Sequence, residues 1–285
     1  MECEVLLLGF GPITLAFAKA LITKGHKVVT VSQRPSASIA AAEFPLDSFQ
    51  TISWEDIRSK QLTSASTYIG WQRSPKNQPF GAELIDWVKS ANLKTGKIHH
   101  LSSASVYSGT QELFSEIDYN SSIKIGLLNS KQMLEKLVVD LSREKETKFV
   151  NYRIPNVYGL GLRQGFINES LNHIKNGEPI TIYKELDLIR DYLLIDDLVS
   201  GLMDLRLHES SHETLNISTG RGVAISEIVA HLRFLNVNAL KILEIPAPEN
   251  STPKSVLSCK KLEEIISWKP RGIEKALQGL VQDLI

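Results

Sequence analysis

The chain has 285 residues, with 32 basic and 32 acidic side chains and no formal net charge. It is long enough for one large α/β unit plus a small lobe, and it carries no charge excess for a nucleic-acid or anionic-membrane surface. Its two cysteines, Cys3 and Cys259, lie at opposite ends of the sequence; they offer no disulfide framework and no metal-ligand spacing, so no metal and a reducing, cytoplasmic setting are expected.

The first apolar run, Glu4 to Leu8, reads as a buried parallel strand. It is too short to span a membrane and has no basic flank or cleavage site. Gly9-Phe10-Gly11-Pro12-Ile13-Thr14 follows, then a helical stretch from Leu15 to Lys24 and a second strand from Lys27 to Val31. This is a βαβ opening with a glycine turn at its first crossover. Gly9 and Gly11 permit a tight turn and close backbone approach to a pyrophosphate, which the amides at the helix start would face. Pro12 suits a first helical position that needs no amide hydrogen. Thr14 stands where a third glycine would allow tight helix–strand packing. The turn therefore reads as a dinucleotide site, with a turn that no longer holds one as the alternative.

After the second strand comes Ser32-Gln33-Arg34, without the acidic residue that would bind the ribose hydroxyls of NAD. Arg34 suits a 2′-phosphate, so NADP is favoured over NAD. Phe49 to Ile52 reads as a third strand. Ser53 and Asp56 have capping-box spacing for a helix. Thr67 to Trp71 reads as a fourth strand, Ala82 to Ala91 as a helix and Lys97 to Leu101 as a fifth strand.

Leu101-Ser102-Ser103-Ala104-Ser105-Val106-Tyr107, Arg153-Ile154-Pro155-Asn156-Val157-Tyr158-Gly159, Arg190-Asp191-Tyr192 through Asp196-Asp197, Leu215 to Gly220 and Trp268-Lys269-Pro270 occur in that order along the chain. Together they resemble the extended short-chain dehydrogenases, the epimerase/dehydratase proteins that modify nucleotide sugars. That resemblance implies an α/β fold: a Rossmann-like, doubly wound parallel sheet closed by the Arg153–Tyr158 strand, with a small C-terminal substrate lobe. The expected division is a dinucleotide-binding domain over 1–160 and a mainly substrate-binding lobe over 161–285, with 190–205 returning to the core.

The resemblance also implies roles. Ser103 matches the hydroxyl residue that holds the reacting oxygen. Lys131 matches the lysine that binds the nicotinamide ribose, and Pro155 lies in the loop beside the nicotinamide. Asn156 and Arg190 fall on the substrate side, where a planar guanidinium suits a diphosphate. Asp196 and Asp197 would start a helix. The family's catalytic tyrosine stands four residues before the lysine, and here that position holds Leu127, which cannot move a proton. Tyr119 is a possible substitute, and Glu112 and Glu116 are other possible acids. His99 and His100 read as sheet packing.

Two functions follow. One is an NAD(P)-dependent reductase, epimerase or dehydratase acting on a nucleotide sugar with atypical proton transfer. The other is a non-catalytic dinucleotide-sensing or assembly protein on the same fold, with or without a bound cofactor. A homodimer through the helix ending near Arg143 is a further expectation, with Met133, Leu134, Leu137, Val138 and Leu141 as its apolar face or, equally, as core.

Overall fold

The computed structural model describes residues 2–9, 11–31, 44, 47–59, 61–70, 89, 92–107, 112–118, 130–209, 213–235, 240–249 and 251–283. By its contacts the chain forms two compact units, one of residues 1–106, 119–153 and 202–215, the other of 107–118, 154–201 and 216–285.

The first unit is built on a sheet. Its strands are β1 (Glu2–Leu8), β2 (Val28–Val31), β3 (Phe49–Ile52), β4 (Leu62–Ile69), β5 (Leu93–Ser103), β6 (Lys148–Ile154) and β10 (Glu213–Asn216). They lie in the order β10-β6-β5-β4-β1-β2-β3, and the pairings of β1 with β2 and β4, of β2 with β3 and of β4 with β5 are parallel. This order reverses direction at β1, the doubly wound arrangement whose ligand crevice lies beyond the carboxyl ends of the central strands. Val5–Leu8 and all of β2 are buried, which is why these strands read as continuous apolar runs rather than alternating ones.

Helix α1 (Pro12–Thr23) buries Phe17, Ala18 and Leu21. Helix α2 (Trp54–Ser59) opens with the expected capping box: Asp56 accepts from the Ser53 amide at 3.1 Å, and Ser53 Oγ accepts from the Asp56 amide at 3.1 Å. Helix α3 (Ser130–Glu144) presents Leu134, Val138 and Leu141 to the core formed by Leu6, Leu8, Ile69 and Ile98. Their i, i+4, i+7 spacing makes one helical stripe, and full burial of each such side chain is worth roughly 1.5–3 kcal/mol. With the half-buried Leu137 packed against the same core, four of the five residues weighed as a dimer face are thus spent on the sheet.

The second unit holds β7 (Asn156–Tyr158), α4 (Phe166–Asn176), β8 (Ile180–Tyr183), β9 (Ile189–Leu194), β11 (Gly222–Ala224), α6 (Ile225–Phe234), β12 (Ile242–Ile245), β13 (Lys254–Ser255), α7 (Lys260–Ile265) and α8 (Ile273–Gln282). Helix α5 (Ile195–Leu205) begins in this unit with Asp196 and Asp197 in its first turn, as expected. β9 pairs with β7, β11 and β13, and β12 pairs in parallel with β8. The core gathers Tyr158, Ile167, Tyr192, Leu194, Leu232, Leu277 and Leu280.

Several elements differ from the sequence reading. The Arg153–Tyr158 strand is two strands broken at Pro155, which has no amide to donate. β6 pairs within the large sheet, β7 pairs with β9, and the sheet's edge is β10. By contacts, the units in this stretch divide at 153/154, and 202–215 belongs to the first unit. α1 begins at Pro12, three residues earlier than expected. β4 and β5 begin earlier than expected: their first halves, Leu62-Thr63-Ser64-Ala65 and Leu93-Lys94-Thr95-Gly96-Lys97, are rich in polar residues and glycine and so lack the continuous apolar run. Trp71 and most of the expected helix Ala82–Ala91 lie outside the described residues.

Candidate active site

The glycine turn sits between β1 and α1. Gly9 takes φ +96°, a left-handed conformation open to glycine. Gly11 is extended at the helix cap, and a Cβ added there would meet nothing within 4 Å. Pro12 occupies the first turn. Thr14 is buried, and its hydroxyl accepts from the Gly11 amide at 2.8 Å and donates to the Gly11 carbonyl at 3.0 Å. The threonine is accommodated from the far side: a Cβ on Gly70, just past β4, would stand 2.8 Å from Thr14 Cγ2. The missing third glycine is thus replaced by space at Gly70. Open backbone at Gly11 and a helix start behind it fit a pyrophosphate. Pro12 has no amide hydrogen and Thr14 engages the Gly11 amide, so Ile13 and Thr14 supply the amides of the first turn.

β5 ends at Ser103, which is 8% exposed. Ser103 Oγ accepts from the Ser105 amide at 3.2 Å and from Ser105 Oγ at 3.1 Å. Among the described residues it has no acceptor for its own proton. Its orientation is therefore fixed while its O–H stays available to donate, which is what holding a developing oxyanion requires.

Lys131 lies in the first turn of α3, half-buried, and that burial lowers its ammonium to about 8. Three contacts tie this helix turn to the strand ends. Gln132 Nε2 donates to the Val106 carbonyl at 2.7 Å. Ser102 Oγ donates to Glu135 Oε1 at 2.5 Å. Arg153 binds Glu135 through Nε at 3.0 Å and Nη2 at 2.8 Å. Ser102, Glu135 and Arg153 are all nearly sealed from solvent. A bidentate buried pair holds geometry firmly because losing either partner strands a charge. The sequence reading missed Glu135 and Gln132. The available signal was spacing, since Glu135 follows Lys131 by one helical turn and shares its side of the helix.

His99 and His100 are fully buried, bonded to Tyr152 and Asn151 respectively, so both belong to the sheet. Leu127, Tyr119 and Arg34 lie outside the described residues.

The second unit holds the remaining candidates. Pro155 is buried and Asn156 exposed, with Asn156 Nδ2 donating to the Asp191 carbonyl at 3.3 Å. Arg190 donates to the carbonyls of Ile189 at 2.8 Å, Thr252 at 2.7 Å and Pro253 at 3.1 Å. Asp191 is buried, which pushes its carboxyl up to about 6 against the hydrogen bonds from Thr219 and Gly220. Asp197 accepts from the Arg271 amide at 2.7 Å and from its Nε at 2.8 Å, a structural tie. Glu116, weighed as an acid, accepts from the Asn216 amide at 2.9 Å, and Glu112 is exposed. No group of three or more metal-ligating side chains occurs among the described residues, nor does any helix long and apolar enough to cross a membrane.

Residues 75–218, half of the chain, match the model of the NAD dependent epimerase/dehydratase family. The chain is 30% identical over 210 residues to dTDP-4-dehydro-6-deoxyglucose reductase of Escherichia coli, covering 70% of this chain and 62% of that protein. It is 25% identical over 193 residues to CDP-abequose synthase of Salmonella typhimurium, covering 62% of this chain and 63% of that one. The matches thus span somewhat less than two thirds of these relatives. Among solved structures, MoeE5 in complex with UDP-glucuronic acid and NAD superposes with a TM-score of 0.81 at 20% identity, covering 99% of this chain and 100% of that one. UDP-glucuronic acid 4-epimerase from Bacillus cereus, in complex with UDP-glucuronic acid and NAD, gives 0.80 at 17% identity, covering 100% and 98%. At these identities the structural likeness speaks for the fold. With the family match over half its length, the chain belongs to the NAD-dependent epimerase/dehydratase family, of the extended short-chain dehydrogenase type.

Proposed function

We propose that the chain binds a nicotinamide dinucleotide and a nucleotide sugar, and that its proton transfer departs from the family's. The observation that supports this reading is the anchoring of Lys131 and Ser103 within one unit. The Ser102–Glu135–Arg153 cluster and the Gln132–Val106 bond hold both positions, while the sequence carries Leu127 at the tyrosine position. A nicotinamide dinucleotide, when bound, supplies hydride transfer. Gly9, Gly11 and the first-turn amides of Ile13 and Thr14 would hold its pyrophosphate, Lys131 its ribose, and Pro155 would border its ring. Arg34 favours NADP over NAD. Ser103 would hold the oxygen of the reacting sugar carbon by donating its proton, and Asn156 would contact the sugar. Leu127 leaves the proton to another donor, with Tyr119 as one candidate and water as another. Loss of a positioned acid or base typically costs about 10²–10⁴-fold in rate. The protein acts in the cytoplasm, and a homodimer is the expected assembly.

A second reading, a non-catalytic sensor or assembly protein, is favoured by Leu127 together with the Thr14–Gly11 bond, which engages an amide of the turn. Thermal shift with NADPH, NADH and nucleoside-diphosphate sugars tests the shared part of both readings. A ligand at 100 times its dissociation constant stabilises by about 2.7 kcal/mol. A shift with either dinucleotide supports a retained site, and no shift with either removes it.

A further inference from the structure

Ser103 is nearly sealed from solvent, while Ser105, two residues on, is exposed. A 3₁₀ turn over Ala104–Val106 follows the end of β5 and returns Ser105 to Ser103. Ser105 Oγ donates to Ser103 Oγ at 3.1 Å, and the Ser105 amide donates to the same oxygen at 3.2 Å. Among the described residues Ser105 supplies both hydrogen bonds that Ser103 Oγ accepts. Ser102 takes no part, because its proton goes to Glu135 Oε1. The stretch is pinned to α3 at both ends, Ser102 through Glu135 at 2.5 Å and Val106 through Gln132 at 2.7 Å. Two hydroxyls are thus held in contact, one sealed and one at the solvent, and all these residues belong to the first unit.

A sugar oxygen must gain or lose a proton when its carbon gains or loses hydride, and Leu127 can do neither. A serine hydroxyl is a weak acid, so Ser103 can give up its proton only if another replaces it. The replacement is already in place: the Ser105 O–H points at Ser103 Oγ. Linked hydroxyls polarise one another, so donation by Ser105 also makes Ser103 the stronger donor.

We propose that Ser105 and Ser103 form a two-hydroxyl proton wire between solvent and the reacting sugar oxygen, in place of the absent tyrosine. The wire rests on the reading of the chain as a nucleotide-sugar enzyme and names its proton path. As hydride from a reduced nicotinamide dinucleotide joins the carbonyl carbon, the C=O π pair moves onto oxygen. That oxygen takes the Ser103 proton, Ser103 Oγ takes the Ser105 proton, and a solvent water replaces the last, leaving hydroxide to the buffer. Neither serine ends charged. In alcohol oxidation the same bonds break and form in reverse. Ser105 touches no substrate and acts through Ser103.

The test is single-turnover hydride transfer, which separates chemistry from product release, in the native chain, Ser105→Ala and Ser105→Thr. Ser105→Ala keeps the amide that orients Ser103 and removes the wire, so the rate should fall about 10²-fold, with the melting temperature and its dinucleotide shift unchanged. Ser105→Thr keeps the hydroxyl and should restore most of the rate. In mixtures of light and heavy water the native rate should fall along a curve, because more than one proton moves in the step, and the dependence should straighten in Ser105→Ala. An alanine variant as fast as the native chain, a threonine variant as slow as the alanine one, or the same dependence on heavy water in native and alanine proteins would overturn the wire and leave the enzyme reading standing. A native chain that turns over no nucleoside-diphosphate sugar would overturn both.

Discussion

Arg153, near the end of β6, grips Glu135 on α3 through two nitrogens at 3.0 and 2.8 Å. Ser102, one residue before Ser103, donates to the same carboxylate at 2.5 Å. One buried carboxylate thus ties the serine strand to the helix that carries Lys131. Glu135→Ala strands the Arg153 guanidinium and should lower unfolding free energy by about 3–5 kcal/mol. Chemical denaturation checks this, and a loss below 1 kcal/mol would mean that water replaces the carboxylate at no great cost.

Gly70 and Thr14 form a matched pair. Gly70→Ala places a methyl 2.8 Å from Thr14 Cγ2 and should cost about 1–3 kcal/mol through overpacking. Combining it with Thr14→Gly removes the clash, so the double variant should be more stable than additivity predicts. A double-mutant cycle with zero coupling would contradict the packing described here.

The buried ammonium of Lys131 gives a pH signature. Its folded value of about 8 lies below the ordinary 10.5. Between these values the unfolded chain binds more protons at this position, so its contribution to stability rises with pH across about 8 to 10.5 and is least favourable below 8. Lys131→Met should flatten this part of the stability profile. An identical slope in both proteins would place the lysine in ordinary solvent.

Much of the fold was legible because buried parallel strands write themselves as apolar runs. β1, β2 and β3 fall within a few residues of the pattern. Pro155 was also visible, yet its meaning was not: a missing amide marks a break, but only pairing shows that Asn156–Tyr158 joins β9. At the candidate site, resemblance points to Ser103 and Lys131, whose roles are proposals. It does not point to Glu135, because a glutamate on a helix usually reads as solvated surface until an arginine from a distant strand is brought to it. Arg190 shows the converse. A guanidinium that suits a diphosphate in sequence is held here by three carbonyls, that of its neighbour Ile189 and those of Thr252 and Pro253, the last two some sixty residues away, where no local pattern encodes the contact.

The most direct test of altered proton transfer is turnover of the native chain and of Leu127→Tyr, with NADPH or NADH and a panel of nucleoside-diphosphate sugars. The account predicts that Leu127→Tyr is faster by about 10²–10⁴-fold on the best substrate, with dinucleotide affinity unchanged. A native chain that turns over as fast as Leu127→Tyr would contradict it.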